Sequence, residues 1–110
     1  MRSFLIITTL LFGVAQAGDR TAAFNKICKP MTIQNNIYAC VSVVRNYIYF
    51  DNRGLGLCAN IALDVDRILC LDIIGDKVYE QAEMDKCLSG VSESEKLDCL
   101  TDLGTYNPPQ

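Results

Sequence analysis

The sequence predicts an all-α protein made of three disulfide-stapled helical hairpins, stacked as a short solenoid or a compact bundle. Three observations predict it. The six cysteines fall into three pairs, Cys28 and Cys40, Cys58 and Cys70, Cys87 and Cys99, each with eleven residues between its members. Successive first cysteines stand 30 and 29 residues apart, a period in the range of helix-turn-helix repeats. Within the units, apolar residues recur at three- and four-residue spacing, which is the period of an amphipathic helix.

The chain opens MRSFLIITTLLFGVAQAGDR. Arg2 supplies a positive n-region, Phe4 to Val14 is an apolar run, and Ala15-Gln16-Ala17 has the small-x-small form of a cleavage site. The run is shorter than the roughly 18 apolar residues of a membrane span. Residues 1–17 therefore read as a cleaved signal peptide, 18–105 as one helical-repeat domain and 106–110 as a tail, with no membrane span. A domain of this size buries only about 60–65% of its unfolded surface, so its core needs reinforcement. Six cysteines in an exported chain supply it as three disulfides.

In the first unit, Ala23, Phe24, Ile27, Cys28 and Met31 form one apolar stripe, and Lys29-Pro30-Met31-Thr32 makes the turn. Ile33, Ile37, Cys40, Val41, Val44 and Ile48 form the stripe of the following helix. The second unit reverses near Ala62 to Asp64, with Asp64 expected to cap the next helix and Gly75 to end it. In the third, Gly90 is expected to close one helix in the left-handed conformation. Ser92-Glu93-Ser94-Glu95 is a capping box opening a helix that carries Leu97, Leu100 and Leu103.

Within one continuous helix the cysteines of a pair would lie roughly 18 Å apart, far beyond bonding distance. On an antiparallel hairpin they come to similar heights. The predicted bonds are therefore Cys28–Cys40, Cys58–Cys70 and Cys87–Cys99. The rival pairing of Cys40 with Cys58 and Cys70 with Cys87 strands Cys28 and Cys99 at opposite ends of the array.

Aligning the units on their cysteines places Cys70-Leu71 over Cys99-Leu100, Gly75 over Gly104, Asp64 over Glu93, Asp66 over Glu95, Arg67 over Lys96, and Tyr49 over Tyr79. The segment CLDIIGDKVYEQAEMDKC, with its Cys-Leu, Gly, Tyr and following Cys, resembles the Cys-rich repeats of small exported proteins of predatory bacteria such as Bdellovibrio. The resemblance covers residues 28 to about 103. It implies a periplasmic or secreted helical repeat, and that group brings no assigned activity with it.

The chain has no histidine, and oxidised cysteines leave no thiol nucleophile. The acidic residues Asp64, Asp66, Glu93 and Glu95 sit where helices begin and are accounted for by capping and the helix dipole. They lack the dense ligand pattern of a calcium loop, and Gly54 and Gly56 do not form a phosphate-binding loop. No enzyme, metal site or cofactor is expected. Charge is uneven: residues 18–63 carry five basic and two acidic groups, a balance of +3, and residues 64–110 carry four and eleven, a balance of −7. That makes nucleic acid a poor partner and leaves an acidic rear for a basic protein surface or another copy.

The stretch RNYIYFDNRGLG, residues 45–56, departs most from the repeat. Tyr47, Phe50 and Arg53 have no repeat partner of the same type and are the candidate binding residues, Tyr and Arg being favoured at protein interfaces. The sequence reads as an exported, periplasmic or extracellular, non-enzymatic protein-interaction module. The alternatives are a carrier of a small apolar ligand or lipid, and an enzyme inhibitor.

Overall fold

The computed structural model describes residues 20–106. The expected signal peptide and the last four residues of the expected tail lie outside them. Residues 20–23 begin a helix that continues as a π-helical segment, Phe24–Cys28. Five α-helices follow: α1 Gln34–Asn46, α2 Asn52–Ala59, α3 Asp64–Gly75, α4 Gln81–Leu88 and α5 Glu93–Asp102. Two short strands, β1 Lys77–Val78 and β2 Thr105–Tyr106, pair antiparallel with Lys77 opposite Tyr106 and Val78 opposite Thr105.

The disulfides are Cys28–Cys40, Cys58–Cys70 and Cys87–Cys99, with Cα–Cα distances of 5.5, 5.5 and 5.2 Å. Each staples the two helices of one unit: the π segment to α1, α2 to α3, and α4 to α5. The unit-to-unit contacts build a two-layer stack. The second helices pack in the order α1, α3, α5, and the first helices in the order π segment, α2, α4. This is the predicted architecture of stapled hairpins, each resting on the next.

Pro30 has no N–H to extend the first helix, and the Lys29 N–H reaches back to Phe24 O at 2.9 Å, which closes the wider π turn. Ala23, Ile27, Cys28 and Met31 face the core as the apolar stripe predicts, whereas Phe24, expected on the same stripe, is exposed. Asp51 caps α2, its Oδ1 accepting from Arg53 N–H and Gly54 N–H. The Ser92 capping box is present, with Glu95 N–H donating to Ser92 Oγ at 3.1 Å.

Other local expectations differ: Ile33, expected on the stripe of α1, precedes that helix and is exposed, and Leu103 lies just past the end of α5. The N-cap of α3 is Leu63, and Asp64 is the first helical residue. Its carboxylate takes a bond from Asn36 instead. Gly90 is not left-handed, and Gly104 (φ 81°) is the one described residue with positive φ.

The core runs through all three units. Ile27, Phe50, Leu55, Leu71, Ile74, Met84 and Leu100 are fully buried beside five of the cysteines. No helix of the described residues is long and apolar enough to cross a membrane.

Candidate functional site

The three sequence-predicted binding residues do not form one exposed patch. Phe50 is wholly buried, its ring edge-on to Tyr47 with centroids 6.1 Å apart. Tyr47 is half-buried and donates its hydroxyl to Asp72 Oδ1 at 2.7 Å. Both rings lie against Gly75, where a Cβ would come within 2.5 Å of Tyr47 and 2.7 Å of Phe50. Arg53 is exposed, and its guanidinium pairs with Asp85 at 2.6 Å, tying α2 to α4. Two of the three therefore join the first unit to the second, and the third joins the second to the last.

The second junction repeats the device. The Tyr79 hydroxyl donates to Leu100 O at 2.5 Å, and its ring occupies the space a Cβ at Gly104 would need. Burial, then the bond to Asp72, holds the Tyr47 phenol well above the usual tyrosine range. Burial, then the negative charges of Asp51, Asp76 and Glu83, raises Tyr79 likewise. Lys77, almost fully buried, donates from Nζ to Thr101 O and to Leu103 O, the latter at 2.8 Å, satisfying carbonyls at the end of α5. Arg20 does the same for α1, donating to Tyr47 O at 2.6 Å and to Arg45 O at 3.2 Å.

Part of the exposed apolar surface lies along α3 and the residues that precede it and α1. Val65 and Leu69, one turn apart on that helix, are 71% and 51% exposed. Val65 borders a recess of about 390 Å³ shared with Ile33 and Leu63, which precede α1 and α3 and are themselves exposed. Leu69 borders a larger groove, about 480 Å³, between α3 and α5. Its apolar lining is Leu69, Ile73 and Leu97, and Asp66, Glu93 and Asp98 supply carboxylates. No basic residue lines it.

The two seams between second helices differ at one end. In the first, Asn36, four residues before its unit's second cysteine, donates to Asp64 Oδ2 at 2.9 Å. Asp64 lies six residues before its own second cysteine. The residues at the same repeat positions of the second seam are Asp66 and Glu93. A donor–acceptor pair is thus replaced by two carboxylates facing the same groove.

Among the described residues no cluster of three or more His, Cys, Asp or Glu side chains is placed to hold a metal, and all six cysteines are in disulfides. What the surface offers is apolar contact flanked by negative charge. Comparison with family models, with curated proteins and with solved structures finds no match.

Proposed function

We propose that this protein is an exported, non-enzymatic protein-interaction module whose contact surface is the exposed ridge of α3 and the recesses on either side of it. The observation that carries the reading is the run Ile33, Leu63, Val65 and Leu69, four large apolar side chains left exposed on adjoining elements of a small, tightly cross-linked fold. Contiguous apolar surface on a small domain marks an interaction site. Three disulfides favour an oxidising compartment, in keeping with the signal peptide expected from the sequence. Stapled hairpins hold the surface rigid, which lowers the entropic cost of binding.

A carrier of a small apolar ligand is less well supported. The core positions are filled by large side chains, and the recesses beside α3 are surface grooves, the larger with carboxylates in its lining.

The test is site-specific photo-crosslinking in the source cells, with the reactive side chain at position 65 or 69 and, as control, at exposed position 102. Protein adducts from 65 and 69, in excess of those from 102, are the expected result. Adduct-free protein at both positions overturns the reading.

A further inference from the structure

We infer that the groove between α3 and α5 binds a cationic amphipathic helix of a partner protein, an arginine or lysine of which bridges Asp66 and Glu93. This deepens the interaction-module reading and rests on it.

The groove has the lining such a helix requires. Asp66, Leu69 and Ile73 are three and four residues apart, so they form one stripe along α3. Glu93, Leu97 and Thr101 are four apart and form the facing stripe on α5. Leu69, Ile73 and Leu97 give a trough that accepts apolar side chains presented at i, i+3, i+4 and i+7. Asp66, Glu93 and Asp98 surround that trough with negative charge and no basic residue shares the lining, so the complement is a helix with basic flanks.

The repeat itself indicates where the bridging cation sits. In the first seam Asn36 bridges the two helices by donating to Asp64. In the second seam the residue in the Asn36 position is Asp66, which cannot donate when ionised, and it faces Glu93. No cationic donor lies between these two carboxylates in the groove lining, so a cation reaching both must come from outside. A guanidinium offers five donors in a planar fork and suits two carboxylates better than any neutral group.

The uneven charge of the chain raises the second-copy alternative, in which the basic first unit of one molecule enters the acidic groove of another. At the junction position where the second and third units carry Gly75 and Gly104, the first unit carries Arg45. The tyrosine-on-glycine contact that joins successive units therefore cannot be continued by a further copy stacked end to end, and entry of a second copy's basic unit into the groove is separated from a partner helix by the dimer measurement below.

The probe is a fluorescently labelled synthetic helix of about 18 residues, with leucines at i, i+3, i+4 and i+7 and arginines on the flanks. An otherwise identical helix with glutamates on the flanks is the control. Anisotropy with the oxidised protein is expected to show saturable binding of the arginine helix only, weakened by salt. Asp66→Asn and Glu93→Gln should each lower affinity about threefold, and together about tenfold, while Asp102→Asn, outside the groove, changes it less than twofold. A cooperative thermal transition in each variant confirms that it is folded.

Equal binding of both helices, or equal loss with Asp102→Asn, overturns the inference. So does a concentration-dependent dimer abolished by Asp66→Asn, which assigns the groove to a second copy. A calcium-induced rise in unfolding temperature abolished by the same change assigns it to a metal ion and overturns it as well. If positions 65 and 69 crosslink to a protein segment without basic residues, the inference falls and the interaction-module reading stands. If there is neither crosslink nor helix binding, both fall.

Discussion

The ring of Tyr79 lies 2.7 Å from where a Cβ on Gly104, just past the end of α5, would be, and its hydroxyl bonds Leu100 O within that helix. One residue of the second unit thus grips the end of α5 by a ring contact and a hydrogen bond at once. Tyr47 grips α3 in the same way, ring on Gly75 and hydroxyl on Asp72. The stack is held by a disulfide inside each unit and a tyrosine between units. Cooperativity in repeat proteins depends on such nearest-neighbour terms.

Alanine at either glycine is therefore expected to weaken a junction. Gly75→Ala forces a methyl into the Tyr47 and Phe50 rings, and Gly104→Ala adds backbone strain at φ 81° to the clash with Tyr79. Each should cost about 1–3 kcal/mol. Gly56→Ala is the control: its Cβ would meet nothing within 4 Å, and it lies inside α2. It should gain about 0.5–1 kcal/mol from helix propensity. Denaturant midpoints of the three variants check the ordering, and a neutral Gly75→Ala would show that the ring contact is soft.

The tyrosine hydroxyls make the junctions sensitive to alkali. Both phenols are raised in the folded state, so their contribution is present below the unfolded tyrosine pKa of about 10 and is lost as pH rises through the folded values. Tyr47→Phe and Tyr79→Phe should each cost about 1 kcal/mol at neutral pH. In a tyrosinate absorbance titration, each should remove one late-ionising phenol from the folded protein's curve. A curve unchanged by either substitution would mean the hydroxyl is not engaged in solution.

Most of the architecture is legible in the cysteine spacing, because antiparallel helices of these lengths bring only those pairs together, and Ser92 with Glu95 marks its helix start directly. Phe50 was not legible as core. Whether an aromatic side chain in a linker faces water depends on what the next unit sets opposite it, and here that is Gly75. The alignment sets Tyr79 against Tyr49, yet the Gly75 junction uses Tyr47 and Phe50. The groove left a readable trace that went unused. Counting back from each second cysteine sets Asn36 against Asp66, and Asp64 against Glu93, so the change from an uncharged donor to a like-charge pair is visible in the chain. Each of these acidic residues also lies in the first turn of a helix, which accounts for it singly and hides the pairing.

Lys77 supports the last unit from beneath. The residue is 6% exposed, and its ammonium donates to two carbonyls at the end of α5 and lies 5.0 Å from the Tyr106 ring. Lys77→Met keeps the apolar stem and removes the donor, leaving those carbonyls short of a partner at a cost of about 1–3 kcal/mol. Because contacts run mainly between neighbouring units, the loss should be local. Amide exchange is expected to speed up in α5 and to change little in α1. Uniform acceleration through both helices would instead indicate that the three units unfold as one.

Acid should loosen the same unit through Glu83. Its carboxylate accepts from Glu80 N–H at 2.9 Å, closing the capping box of α4, and from Gly104 N–H at 3.2 Å, which anchors the turn after α5. These two bonds, the Glu80 one foremost, hold Glu83 below the usual carboxylate range. A lowered folded pKa contributes stability above the unfolded value of about 4.3, and that contribution disappears as pH falls through the folded value. Glu83→Gln keeps the shape and an acceptor oxygen while removing the charge. The wild type is expected to be the more stable at neutral pH, and the two proteins should converge as the wild-type carboxylate is protonated. Melting temperatures measured from pH 7 downward decide it: a gap that stays constant with pH would assign the effect to side-chain geometry and not to charge.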